Sequence, residues 1–498
     1  SQKMGVFQFT MITYFLVCAG PYGIEEIVKA TGPCFALIGS AILPLVLSLP
    51  LSMIFSEMGS IFPQRGSTIM WSHSIHLTMS TELSGKKLYF IKFIDRIYAN
   101  TLFLKAMFSN AIVPALICGY IENIWKDVDK IYWRYVMSLI FNTLLALLNT
   151  FGLDIVGKSQ YIFAILVLTP VIIFTGMCFP FYNPGSVSPS NAPPKLDFSL
   201  LFSNLVWQCT GFDQATNLAG EVSNPQKTLP ISLLVVVLLV VVSFVMPILS
   251  GVMVEPHYGV WENGAFSEIS LKLPGCQGGW LQIWLILAGA LSSLSVLNAY
   301  ITCTSRELYC NSFNGILPLT KSWLGKLKKF NCKKKKEQLL ERADSVTEGT
   351  EILHNEYDGS SVPFYSILMV SFLPVSLQFL TFEQLLTMGS FLIATVMSIQ
   401  MGLYFYNRHG KYGFYQMNQM NDQFKLPLNK WVSALIITTP LCSVVLLWIF
   451  QGWVPLVVWL ICQTVLFGLR GIEILVQNKG FKSIKHDSFV VESELSNQ

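Results

Sequence analysis

Long apolar runs broken by short polar stretches run along almost the whole chain, and few of them show the one-sided stripe of a helix half in water. A bilayer core of ~30 Å needs about 20 mostly apolar residues per helix. By that measure the pattern predicts twelve spanning segments, near 6–29, 35–56, 90–120, 132–152, 155–179, 199–220, 230–254, 280–305, 363–381, 383–405, 430–450 and 452–476. Residues 66–89, with Trp71, His73, His76 and a Ser/Thr/Gly interruption, predict a short interfacial helix before the third span. Neither histidine is assigned chemistry.

An even number of spans puts both termini on one side of the bilayer, and the basic residues say which side. Arg65, Lys86, Lys87, the cluster Lys326–Lys336, Arg408, Lys411, Lys425 and the tail lysines Lys479, Lys482 and Lys485 share one set of loops, which predicts cytoplasmic termini. The other loops carry only Lys29, Lys126, Lys130, Arg134, Lys195 and Lys272. The first apolar segment is long and lacks a basic leader, so it does not read as a cleaved signal peptide. It begins almost at Ser1, which leaves room for a preceding cytoplasmic segment. The expected setting is a multi-pass integral membrane protein of the plasma membrane.

Composition narrows the function classes. The 498 residues are 52% hydrophobic and 12% charged, against about 25% charged in soluble domains. This excludes a secreted disulfide scaffold, a disordered hub and a nucleic-acid-binding module as the main identity. The basic stretch within 321–361 reads as a partly disordered positive-inside loop, and no nucleic acid partner is expected. Eleven cysteines show neither CxxC nor Cys/His spacing, so no metal and no cofactor is expected. The six histidines all fall outside the predicted spanning segments, which speaks against a membrane enzyme.

Two helices carry interruptions at their centres. The first reads Cys18-Ala19-Gly20-Pro21-Tyr22-Gly23-Ile24-Glu25-Glu26, and two glycines around a proline favour unwinding. The sixth reads Trp207-Gln208-Cys209-Thr210-Gly211-Phe212-Asp213. Irregular backbone at membrane depth persists where it lines a polar cavity or meets a ligand. Interruptions at matching places in two halves point to the central site of a secondary transporter. Close packing at Gly20, Gly23 and Gly211 is the competing reading, but it leaves the adjacent acids unexplained.

The broken stretches offer backbone groups for direct substrate contact at Gly20, Pro21, Tyr22 and Gly23 and at Thr210, Gly211 and Phe212. A buried carboxylate needs a partner, a proton or a cation, so Glu25 and Asp213 are the expected ligands of a substrate ammonium. Tyr22, Trp207 and Phe212 could stack on an ammonium or an alkyl chain. Glu26 is a candidate for the outer vestibule, and Glu221 for a cap or latch on the inner gate. Lys105 and Lys158 are rare cations in apolar runs and candidates for a titrating group; Lys158 could instead snorkel to the surface.

The strings Gly20-Pro21-Tyr22-Gly23-Ile24-Glu25, Glu57 to Phe62-Pro63 with Gly66 and Trp71, Gly152-Leu153-Asp154-Ile155-Val156-Gly157, and Trp207 through Asp213 to Leu229-Pro230 resemble the amino acid, polyamine and organocation transporter superfamily. Ser305-Arg306 and Gly315-Ile316-Leu317-Pro318 extend the resemblance through about residue 320. The strings of helices 1 and 6 are closest to the branch of plant and protozoan polyamine uptake transporters and related amino acid permeases. The resemblance implies a leucine-transporter-type fold, with a 5+5 inverted repeat, broken helices 1 and 6 and two peripheral helices. The repeats would occupy 1–180 and 197–406, the peripheral helices 428–476, and a cytoplasmic tail 477–498. It also implies a bundle rocking against a scaffold, proton coupling, and a lysine of helix 5, here Lys158, as a substitute for bound sodium.

One position departs from that branch: Ser109 stands where plant relatives tend to carry an acid before Asn-Ala. The expected function is import of polyamines or cationic amino acids, proton-coupled, by alternating access. Alternatives are an amino acid exchanger for neutral or cationic substrates and a transporter-like nutrient sensor. The loop 122–131 contains no cysteine, so no disulfide-linked heavy chain is expected.

Overall fold

The computed structural model describes residues 3–82, 86–122, 130–181, 183–317, 328–329, 361–410, 424–427 and 429–495. Most of the 321–361 loop therefore lies outside the described residues, as does the 123–129 stretch where a heavy-chain cysteine was sought. Apart from a two-residue antiparallel pair, Lys328–Lys329 with Ser361–Val362, the regular structure among the described residues is helical.

The chain opens with α1 (Val6–Val17), an irregular stretch over 18–25, and α2 (Glu26–Leu43). Gly32, at φ 80°, bends α2 so that Glu26–Thr31 and the part from Pro33 run in different directions. A Cβ at Gly32 would lie 2.6 Å from Ala192 Cα, so the loop after α7 packs on that bend. A π turn at Pro44–Ser48 joins α2 to α3 (Leu49–Ile61). Then follow α4 (Ser67–Glu82), α5 (Lys86–Glu122), α6 (Ile131–Thr150) and α7 (Leu153–Cys178). The predicted segment 199–220 is divided into α8 (Phe198–Gln208), α9 (Phe212–Thr216) and a 3-10 turn at Ala219–Glu221.

The remaining helices are α10 (Pro225–Val254), α11 (Ala265–Ser270), α12 (Trp280–Phe313), α13 (Phe364–Phe372), α14 (Phe382–His409), α15 (Lys430–Gln451) and α16 (Val454–Leu495). Local sequence sets several of these ends. Pro225 stands at the first turn of α10, where its missing N–H has no helical partner to lose. Thr381 and Gln384 close a capping box on α14. Several ends differ from expectation: α1 stops at Val17 and α2 runs through the expected gap at 30–34, α12 continues eight residues past 305, and α16 continues as a helix through the expected tail to Leu495.

Nine helical stretches among the described residues are long and apolar enough to cross a membrane; Val6–Val17 and Phe364–Leu377 are shorter apolar helices. The most apolar window of Tyr89–Gly119 is 83% buried inside the protein and that of Val454–Ile474 only 11%, so α5 is central and α16 peripheral. Large apolar side chains such as Leu144, Ile162, Ile172, Leu238 and Leu460 face outward, while Glu25, Glu57, Lys105, Asp213, Arg306 and Glu307 lie inside. Charge inside and hydrocarbon outside is the arrangement of a protein whose solvent is lipid. The chain is an integral membrane protein.

Candidate functional site

The two irregular stretches meet. Gly211 begins α9 at φ 111°, a region favoured by glycine. A Cβ there would lie 2.5 Å from the carbonyl oxygen of Leu16, so the absence of a side chain lets the start of α9 touch the last turn of α1.

The backbone groups released in 18–25 are largely answered by side chains. Ser292 of α12 donates to the carbonyl oxygen of Ala19, Asn204 of α8 donates to that of Gly23 at 2.7 Å, and Gln208 donates to that of Tyr22 at 3.5 Å. Gln208 also accepts from the Ala19 N–H at 3.4 Å. Across the second interruption, Ser48 donates to the carbonyl oxygen of Cys209 at 2.7 Å and Thr210 to that of Trp207 at 3.3 Å. A narrow crevice lined by Phe15 through Ala19, Trp207, Val296 and Tyr300 lies against this junction, too tight in this conformation to hold a water molecule. The buried indole N–H of Trp207 has no hydrogen-bond partner among the described residues.

The structure places the expected residues in distinct settings. Glu25 is fully buried and accepts the Gly23 N–H at 2.7 Å, so its carboxylate caps the break in which it sits. Tyr22 and Phe212 are buried, and the Tyr22 hydroxyl reaches the Val167 carbonyl oxygen at 3.5 Å. Asp213 forms an ion pair with Lys105, each side chain 4% exposed, and its Oδ2 also accepts from Gln400 at 3.1 Å. Ser109 is buried, and its hydroxyl has no partner among the described residues.

Lys158 stands apart from this group. Its side chain is 67% exposed and pairs with Asp154 one turn away at 2.9 Å. Lys158 lies in the second turn of α7, with its side chain turned away from the buried centre. Glu26 is partly buried and accepts from Asn263 at 2.8 Å, next to an exposed Lys29–Glu262 pair. Glu221 is buried between Arg306, with hydrogen bonds of 2.6 and 3.2 Å, and Arg65 at 3.1 Å. Its backbone carbonyl also accepts from Met4, which ties the start of the chain to the same cluster. These two groups of contacts sit at the two ends of the path from Met4 through α1 to Glu26.

Several central residues escaped sequence reasoning. Glu307 accepts from Asn217 at 2.9 Å and Thr68 at 3.5 Å, and Thr68 in turn donates to Asn217 Oδ1 at 2.8 Å. The Gln400 amide also lies 3.2 Å from the Tyr98 hydroxyl, which donates to the Thr68 carbonyl at 3.2 Å. A continuous polar network thus joins α4, α5, α9, α12 and α14 through Asp213 and Glu307. The available signal was an acid just past the expected end of helix 8 at 305; extending that helix by one turn would have placed Glu307 inside. Glu57, quoted only as part of a sequence string, is buried and paired with Arg408 and with Tyr404 at 2.9 Å.

The sequence profile of the amino acid permease family matches residues 6–466. The chain is 29% identical over 319 residues to the polyamine transporter RMV1 of Arabidopsis thaliana, an alignment covering 64% of this chain and 62% of that one. It is likewise 29% identical over 319 residues to the polyamine transporter PUT1 of Oryza sativa subsp. japonica, covering 64% and 57%. The aspartate-proton symporter of Bacillus subtilis is 22% identical over 342 residues, covering 63% and 62%. The matched part thus spans about three-fifths of each relative, and each of these relatives is named as a transporter rather than an enzyme.

Proposed function

Because the chain belongs to the amino acid permease family, we propose that it is a secondary active transporter that imports small amine-bearing solutes, polyamines or cationic amino acids, by proton-coupled alternating access. The observation that carries this reading is the junction at Gly211 and Leu16, where two interrupted helices meet beside a crevice with Asp213 in the first turn of α9. A helix N-terminus, irregular backbone and a buried carboxylate are the parts from which such proteins build a central site. The names of the plant relatives support polyamines, and that of the bacterial symporter supports protons.

In this reading residues 1–180 and 197–406 are two inverted repeats, the helices of 428–476 are peripheral, and the termini are cytoplasmic in the plasma membrane. Gly20, Pro21, Tyr22, Gly23 and Glu25, with Trp207, Thr210, Gly211, Phe212 and Asp213, line the substrate position. The cluster around Glu221 closes one end, and the Glu26–Asn263 and Lys29–Glu262 contacts close the other. Opening them alternately exposes the site to each side in turn.

A second reading, carriage of amino acids, is favoured by the unpartnered Trp207 indole N–H at the crevice, a donor suited to a carboxylate, and by the neutral Ser109. The experiment that separates the two is competition among putrescine, spermidine, arginine, lysine and leucine on the purified, reconstituted protein. A true substrate stabilises the folded state at concentrations well above its dissociation constant. Putrescine, spermidine, arginine or lysine raising the melting temperature most would support the first reading. Leucine doing so would support the second, and no response to any of them would count against both.

A further inference from the structure

The Lys105 ammonium rests on the carboxylate that an incoming ammonium would need. We propose that Lys105 is a specificity-determining residue, a tethered occupant of the ammonium position at Asp213, and that Glu307 is the carboxylate to which it withdraws when substrate binds. The inference rests on the amine-transport reading above and deepens it.

Three observations carry it. Lys105 and Asp213 are paired through Oδ2 with both side chains buried, so a substrate amine takes up that position on Asp213 by displacing the lysine. A buried ammonium without a counter-charge is strongly unfavourable, so the lysine needs somewhere to go. Glu307 provides it: this buried carboxylate is bonded by the neutral donors Asn217 and Thr68, and it shares one hydrogen-bonded network with Asp213 through Thr68, Tyr98 and Gln400. Lysine suits such a move because its charge is compact and its four-carbon stem flexible.

The third observation is Gln400. Its Nε2 bonds Asp213 and Tyr98, while its buried Oε1 has no partner among the described residues. That oxygen is an acceptor beside Asp213 for the N–H groups of an ammonium. The exchange leaves charges balanced, since the two carboxylates that hold Lys105 alone before binding are matched after it by Lys105 and one substrate amine. A site open only part of the time binds with its affinity reduced by that fraction. The tether thus weakens amine binding, and a second ammonium on the same substrate meets a position already claimed by Lys105.

The test is putrescine binding to the purified full chain in nanodiscs at pH 8.5, by calorimetry and thermal shift. Lys105→Gln should bind putrescine at least tenfold more tightly than the native chain. Glu307→Gln, which removes the refuge, should bind it at least tenfold more weakly while keeping the ligand-free melting temperature. A folded Lys105→Gln variant with unchanged or weaker affinity overturns the proposal. Should that variant fail to fold, unchanged putrescine affinity in Glu307→Gln overturns it. Amine binding to the native chain with no such ordering refutes the tether alone; absence of amine binding in all three refutes the amine-transport reading and the tether with it.

Discussion

A methyl group on Gly211 would stand 2.5 Å from the carbonyl oxygen of Leu16, closer than any real packing contact, so the two interrupted helices touch because this one side chain is missing. The crevice, the start of α9 and the position of Asp213 all depend on that approach. Gly211→Ala should therefore destabilise the protein more than Gly152→Ala. Both positions have positive φ, at 111° and 99°, but nothing lies within 4 Å of a Cβ at Gly152. The difference isolates overpacking, about 1–3 kcal/mol, and thermal unfolding of the two variants in the same detergent measures it.

Glu221 pairs with two arginines from different parts of the fold, Arg65 and Arg306. Removing one partner of a buried ion pair costs about 3–5 kcal/mol, because the remaining charge is left in low dielectric. Glu221→Gln should fall in that range, and Arg65→Gln should cost less because Arg65 is more exposed than Arg306. Denaturant or thermal unfolding with a double-mutant cycle against Arg306 separates the pair from the rest of the cluster.

Asn204 supports the first break by donating to the Gly23 carbonyl oxygen. Asn204→Leu keeps the bulk of the side chain and leaves a buried carbonyl without that donor, an effect of about 1–3 kcal/mol. Its consequence should reach function as well as stability, since Gly23 also donates to Glu25. Lower melting temperature together with weaker substrate binding is expected; a stability loss with native affinity would mean the break keeps its shape without Asn204.

Glu25→Gln and Asp213→Asn should each abolish uptake of cationic substrate while the protein still reaches the membrane. Normal uptake by both variants would remove the two acids from the site. Lys158→Ala, by contrast, should leave uptake and stability near native values, since an exposed i,i+4 pair contributes only about 0.3–0.5 kcal/mol.

If protons drive the cycle, uptake into cells or vesicles should rise as external pH falls and collapse with a protonophore. Sodium-dependent uptake indifferent to pH would assign the driving force elsewhere.

Much of this protein was legible in its sequence, because lipid imposes a simple rule: each spanning helix must be long and apolar, and any exception must be explained. The apolar runs therefore located the helices to within a few residues in most cases, and Gly20-Pro21-Tyr22-Gly23 and Thr210-Gly211 stood out as places where a helix has reason to stop. What the run pattern could not reveal is which polar groups share a space. Lys105 and Asp213 are 108 positions apart, and Asp213 and Gln400 are 187 apart. Hydropathy treats each as an isolated polar residue in an apolar segment. Only the packing of α5, α9, α12 and α14 brought Lys105, Asp213, Glu307 and Gln400 into one network, and only the outward face of α7's second turn set Lys158 apart from Lys105. Composition and periodicity record what a segment must bury; the partner against which it is buried is decided by the tertiary fold.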